Sequence, residues 1–310
     1  EINMLCCLTA HQIGAKHTIA RVRNPEYYEQ LFFLKDCLGL SMAVNPELAA
    51  AEEIARILRF PSATKVELFA RGRVELVSYH VTKSSGLCGT ILSDLPRNTG
   101  IKVLICAVEH EGDVVIPSGN YQIATDDIIY FTGAPEQITA AFRKLHLLSE
   151  RVQNVLIIGG GKISYYLATK LAKDRINVKI IERDVSRSIE LASLLQKATI
   201  LNGDASNHEL LLEEGLSKQD AFVALTGLDE GNILSAIYAF RHNVPKVIAK
   251  INNDSLVPLI RNTGLESIIS PKQITTNQIL RFVRALSAGH DSEDILALYQ
   301  IVGGRVEVME

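Results

Sequence analysis

From about residue 152 the chain switches its hydrophobic period back and forth. Short apolar runs recur at "NVLIIG" (154–159), "VKIIE" (178–182), "ATILNGD" (198–204), "AFVALTG" (221–227), "KVIAKI" (246–251) and "SIIS" (267–270). Between them the pattern changes to apolar residues at i, i+3 and i+4. Ile163, Tyr166, Leu167 and Leu171 form one such face with Lys170 beside them, and Ile189 to Leu195 and Ile233 to Phe240 form others. Strand and helix alternating in this way predict an α/β fold, a Rossmann-like doubly wound parallel sheet.

Residues 61–148 keep a different rhythm. "KVELFARGRVELVSYHV" alternates with a period of two, which predicts a hairpin turning at Arg71-Gly72. "SSGLCGTILSDL" reads as a loop and a short helix. Further strands follow, with turns at Glu111-Gly112-Asp113 and Ser118-Gly119-Asn120, and "PEQITAAFRKLHLL" reads as a closing helix. The segment is a small α+β subdomain, and Asp126-Asp127 in it reads as a solvated turn rather than a cation site.

The chain also resembles itself. "EINMLCCLTAHQIGAKHTIARVRN" lies over "EGNILSAIYAFRHNVPKVIAKINN", pairing Asn3 with Asn232 and Arg21 with Lys250 at an offset of 229. "GLSMAVNPELAAAEEIARIL" lies over "GLESIISPKQITTNQILRFV", pairing Pro46 with Pro271 at 225, and "FARGRVELV" over "IVGGRVEVM" at 232. These offsets predict two copies of a unit of roughly 230 residues, with this chain a window across both. Residues 1–60 are then the C-terminal half of a first Rossmann-like unit and 61–148 the first α+β subdomain. Residues 149–288 are a complete second Rossmann-like unit, and 289–310 start the second α+β subdomain.

Composition narrows the class. Of the 310 residues 47% are hydrophobic and 22% charged, with a net charge of -3, which fits a globular chain and argues against nucleic acid as partner. No apolar run approaches the roughly 18 residues that would span a bilayer, and no signal peptide opens the chain. Cys6, Cys7, Cys37, Cys88 and Cys106 are odd in number and show no CxxC spacing, so they read as buried free thiols in a reducing compartment. The histidines show no HxxxH pairing, and no metal site is expected.

The chemistry concentrates at "VLIIGGGKIS". Gly159 permits a tight exit from the strand, Gly161 lets the backbone approach a pyrophosphate, and the third GxGxxG position, here Ser164, packs helix on strand somewhat more loosely than glycine would. The helix that follows aims unpaired amides at an anion. Glu182 ends the next strand, where an acid accepts from ribose hydroxyls and favours NAD over NADP, although Arg183 beside it weakens that discrimination. Asp204 contacts adenosine or caps the helix near Ser206. Thr226 and Gly227 border the switch-point crevice.

Taken together, "VLIIGGGKIS", "VKIIERD", "GDAS", "ALTGLDEGNI", "VIAKI", "TIARVRN" and "GDVVIPSGNYQIATDDIIYFTG" resemble the cytosolic regulatory subunits of bacterial Trk potassium uptake, whose tandem units are KTN or RCK domains. The resemblance spans nearly the whole chain. It implies RCK N-type units alternating with small RCK C-type subdomains and NAD(H), ATP or ADP as regulatory ligands. It implies assembly as a homodimer or homotetramer, peripheral at the inner face of the cell membrane. The implied partner is a potassium-translocating subunit of the TrkH, TrkG or KtrB type, and the implied role is not enzymatic. Carried over by position, Gly159, Gly160, Gly161, Lys162 and Ile163 cradle phosphates, with Ser164 behind them. Glu182 and Arg183 meet the ribose, Asp204 and Ala205 line the adenine side, and Thr226 and Gly227 line the crevice. Lys250 lies near a phosphate, and Arg21 is its match in the first unit, whose site lacks a Gly-rich turn of its own here. Two other readings stay open: an NAD-dependent oxidoreductase, for which no proton donor is identified, and a nucleotide-free assembly module.

Overall fold

A computed structural model of the chain describes residues 2–24, 39–60, 63–69, 73–83, 85–100, 103–147, 152–260, 263, 265, 267–288, 298–301 and 306–309. Helix α1 (Ile2–Gln12) leads into strand β1 (Ile19–Arg21), which pairs in parallel with β2 (Met42–Val44). Asn45 then caps helix α2 (Pro46–Arg59), its side chain accepting from the Leu48 amide at 3.0 Å.

A five-stranded antiparallel sheet follows, built from β3 (Ala63–Phe69), β4 (Val74–His80), β5 (Leu104–His110), β6 (Asp113–Val115) and β7 (Ile128–Gly133) in the order β3-β4-β7-β5-β6. Helix α3 (Pro135–Lys144) closes over it and buries Ile138, Ala141 and Phe142. The expected hairpin is the β3–β4 pair; its turn at Arg71-Gly72 lies outside the described residues.

Beyond it the main elements are β8 (Asn154–Ile158), α4 (Lys162–Lys173), β9 (Asn177–Glu182), α5 (Val185–Leu194), β10 (Ala198–Asn202), α6 (His208–Glu213), β11 (Ala221–Ala224), α7 (Asp229–Arg241), β12 (Lys246–Lys250), β13 (Ser267–Ile269) and α8 (Pro271–Ala288), then an antiparallel pair, β14 (Leu298–Ile301) and β15 (Val306–Met309). Strands β8 to β13 form one parallel sheet in the order β10-β9-β8-β11-β12-β13. That is the doubly wound order, with its switch point between β8 and β11.

Successive residues of a strand face opposite sides, and both sides here are covered. Leu156, Phe222 and Ala249 pack on one face with Ile233, Ala236 and Ala239 of α7. Val155, Ile157, Val223 and Ile248 pack on the other with Leu167 and Leu171 of α4. The same layer includes Ala50, Ile54, Ile57 and Leu58 of α2. A helix from the first copy thus helps to cover the sheet of the second.

The repeat is exact in register. Ile19 pairs with Met42 and Arg21 with Val44; at offsets of 229 and 225, Ile248 pairs with Ser267 and Lys250 with Ile269. Phe69 pairs with Val74 as Ile301 pairs with Val306, both at 232.

Two expectations are corrected. Cys6 and Cys88 are exposed, against expectation, whereas Cys7 and Cys106 are half-buried and pack at the edge of hydrophobic clusters; Cys37 lies outside the described residues. Cys6 and Cys7 match Ser235 and Ala236 of α7, which are buried against strands, whereas α1 has no fully buried residue. Asp127 is not solvated. It is fully buried and accepts from the Ala124 amide at 2.8 Å and the Tyr121 hydroxyl at 3.1 Å, with His110 Nδ1 at 2.6 Å. Only Asp126, with φ of 68°, takes the exposed turn position.

Candidate functional site

Strand β8 ends at Ile158 and turns through Gly159, whose φ of 89° lies in the left-handed region open to glycine. A Cβ there would come within 2.9 Å of the Thr226 amide nitrogen, so the turn presses directly on the end of β11. At Gly160 a Cβ would lie 2.5 Å from Leu191 Cδ1 and 2.9 Å from Glu182 Oε2. At Gly161 it would meet nothing within 4 Å, which identifies the open side of the turn. Gly161 stands at the N-cap of α4 without a side-chain cap, so the leading amides of that helix are available to an anion. Ser164 departs from the looser packing expected of it. It is fully buried, and its hydroxyl donates to the Gly159 carbonyl at 2.5 Å, tying helix to turn.

Glu182 closes the same loop from β9. Its Oε2 accepts from the Gly160 amide at 2.5 Å and its Oε1 from the Asp184 amide at 2.8 Å. Arg187, which the sequence did not single out, donates from Nε to the Gly160 carbonyl at 2.8 Å. Asp204 is exposed and accepts from the Ser206 amide at 2.9 Å; the Ser206 amide and hydroxyl hold its carboxyl below the usual range. It does not cap α6: Asn207 does, accepting from the Glu209 amide at 3.0 Å.

Across the switch point, fully buried Asn232 joins two strand ends. Its Oδ1 accepts from the Thr226 amide at 2.9 Å and hydroxyl at 2.7 Å, and its amide donates to the Thr226 carbonyl at 3.2 Å and the Lys250 carbonyl at 2.9 Å. Lys250 is half-buried; burial lowers its pKa, opposed by the charges of Asp229 and Glu47. Arg21, the first-unit match of Lys250, lines the same cleft as the Gly-rich turn. It reaches the second unit's crevice, where Arg21 Nη2 and Arg23 Nε meet Glu47 Oε1 at 3.1 and 2.7 Å.

One cleft of about 1150 Å³ unites these groups. It receives every sequence-predicted site residue except Ser164, which is buried behind the turn. Arg23, Glu47, Asn252 and Lys272 line it as well and were not anticipated, although each lies within two residues of an aligned repeat position. From β10 to β12 the cleft crosses four strand spacings, about 19 Å at ~4.8 Å each. The uncapped helix start, the open face at Gly161 and the desolvated Lys250 suit an extended ligand carrying phosphates, and Glu182 retains lone pairs for hydroxyl donors.

Residues 155–271 match the TrkA-N domain and residues 76–146 the TrkA-C domain. Along its full length the chain is 32% identical to the Trk system potassium uptake protein TrkA homolog 2 of Methanosarcina mazei, covering 69% of that protein. The chain belongs to the TrkA family. It is also 31% identical over its full length to TrkA of Vibrio alginolyticus, covering 67% of it. Among solved structures, the RCK domain of GsuK shares the fold, with a TM-score of 0.67 at 19% identity over 96% of this chain and 63% of that one. The GsuK channel bound to NAD gives 0.65 at 20%, over 96% and 52%. The TrkA-N match runs from β8 to the start of α8 and so contains the second unit's strand ends that border the cleft. Among the described residues no helix is long and apolar enough to cross a membrane.

Proposed function

We propose that this TrkA-family chain is the ligand-sensing part of a potassium-uptake regulator. It binds NAD(H), ATP or ADP in the cleft and transmits the bound state to a potassium-translocating membrane subunit of the TrkH, TrkG or KtrB type. It works peripherally at the inner face of the cell membrane, as a homodimer or homotetramer, and senses rather than transforms its ligand. The two Rossmann-like units, 1–60 and 149–288, act as a pair, each followed by its α+β subdomain.

The observation that carries this reading is who lines the cleft. Arg21, Arg23, Pro46 and Glu47 come from the first copy, and Lys250, Asn252, Pro271 and Lys272 occupy the equivalent positions of the second. A ligand on the Gly-rich turn therefore touches both copies, and its affinity depends on how they are placed. Differential affinity of that kind is what a ligand needs to shift a conformational equilibrium. Glu182, an acceptor-only group at the ribose position, supports NAD(H) within this class.

Potassium flux through vesicles carrying the full-length subunit with its membrane partner tests the reading. Flux should change on adding NADH, NAD, ATP or ADP, and Gly161→Ala should remove the response while assembly persists. Flux indifferent to all four nucleotides contradicts it.

A further inference from the structure

Gly160 is held at both of its backbone groups. Its amide donates to Glu182 Oε2 at 2.5 Å, and its carbonyl accepts from Arg187 Nε at 2.8 Å. The first contact comes from the end of β9 and the second from the first turn of α5. Glu190, one turn further along α5, orients the arginine by accepting from its Nη1 at 2.6 Å. A cation in the first turn of a helix works against the helix dipole, so these two acceptors are what hold the guanidinium in place.

In a trans peptide the carbonyl and the following N–H point to opposite sides. Fixing the Gly160 carbonyl toward Arg187 therefore fixes the Gly161 N–H on the far side of the same plane. Gly161 lines the cleft, and Arg187 stands outside that lining, behind the turn. The Gly161 N–H carries no hydrogen bond among the described residues. A donor left unmet at a cleft wall thus has its direction set by a side chain that the cleft does not contain.

We propose that Arg187 is a positioning residue, which sets the Gly160–Gly161 peptide so that the Gly161 N–H meets a phosphate of the bound nucleotide. The inference rests on the nucleotide reading above and adds to it a residue that acts without touching the ligand. Two effects work in the same direction. The hydrogen bond stops the peptide from rotating, a freedom that a glycine on either side would otherwise allow. The guanidinium charge also polarises the peptide through its carbonyl, and a polarised peptide donates more strongly from its N–H. Neither effect depends on what lies beyond the phosphate, so a dinucleotide and a nucleoside triphosphate seated on the turn draw on it alike.

Calorimetric titrations of NADH onto wild type, Arg187→Met, Arg187→Lys, Gly161→Ala and the Arg187→Met/Gly161→Ala double variant test this. Arg187→Met should bind NADH about tenfold more weakly, and Arg187→Lys, which restores a charged donor, should stay within about threefold of wild type. Arg187 acts through the peptide that Gly161→Ala blocks, so the double variant should lose much less than the two single losses combined. In wild type with isotope-labelled glycine, the Gly161 amide resonance, assigned by its loss in Gly161→Ala, should move on adding NADH. A brace with no part in binding would lower Tm in Arg187→Met yet leave NADH affinity unchanged. That result, or single losses that add in full, overturns the proposal. So does a Gly161 amide unmoved by NADH, a test that stands even where Arg187→Met folds poorly. Wild type that binds no NADH overturns the nucleotide reading itself, and the wild-type titration alone tells the two failures apart.

Discussion

Asn232 donates its side-chain amide to the carbonyl of Lys250 at 2.9 Å, and Asn3 makes the same bond to Arg21 at the same distance. One side chain in each copy thus links a helix start to the end of the strand that carries the cleft cation. The settings differ: Asn232 is fully buried and also holds Thr226, whereas Asn3 is exposed. Asn232→Ala should therefore destabilise the chain by about 1–3 kcal/mol, since it orphans buried backbone groups, and Asn3→Ala by less than about 1 kcal/mol. Denaturant unfolding of the two variants checks the contrast.

The glycines of the turn separate folding from binding. Gly160→Ala would place a methyl group against Leu191 and the Glu182 carboxylate, so both Tm and nucleotide affinity should fall. Gly161→Ala adds its methyl to open space, so Tm should hold while affinity falls at least about tenfold through hindered approach of the phosphate. Thermal melts with and without NADH distinguish the two.

In the α+β subdomain, the hydrogen bond to buried Asp127 raises the pKa of His110 above its ordinary 6.5, with burial opposing. A pKa raised on folding contributes stability that is fully present below the unfolded value and is lost as pH rises through the folded value. Wild type should lose Tm relative to His110→Gln between pH 6 and 8. Parallel curves for the two proteins would remove this pair from the account.

Tyr166 links α4, the helix that follows the Gly-rich turn, to the first copy. Its hydroxyl accepts from Asn45 Nδ2 at 3.0 Å and donates to the Arg23 carbonyl at 3.3 Å. Tyr166→Phe should cost about 1 kcal/mol and reduce the nucleotide response of potassium flux more than nucleotide affinity. Measuring flux and affinity on one preparation of the variant tests that split.

Much of this was legible in the sequence for physical reasons. Strands buried on both faces show as continuous apolar runs, and "IIGGGKIS" announces a strand, a left-handed turn and an uncapped helix start. The repeat offsets carried over to strand register because matched backbone pairing leaves little room for slippage. Glu47 and Arg23 were not legible as cleft residues. Their place depends on α2 packing across the other copy's sheet, and an apolar helix face reads the same whichever sheet it covers. Asp127 was misread because its partner His110 lies 17 residues back, on β5, beyond any local pattern. Cys6 was misread because α1 repeats the pattern of α7 without the same cover among the described residues.

The central claim is that one nucleotide is held by both copies, and a thermal-shift titration tests it most directly. NADH and ATP would be added to wild type, Glu182→Ala and Arg21→Ala. At about 100 times Kd a ligand adds about 2.7 kcal/mol, which is several degrees in Tm. The account predicts that shift in wild type and a smaller one in both variants, although Glu182 and Arg21 belong to different copies. A wild-type shift that Arg21→Ala leaves untouched would contradict it.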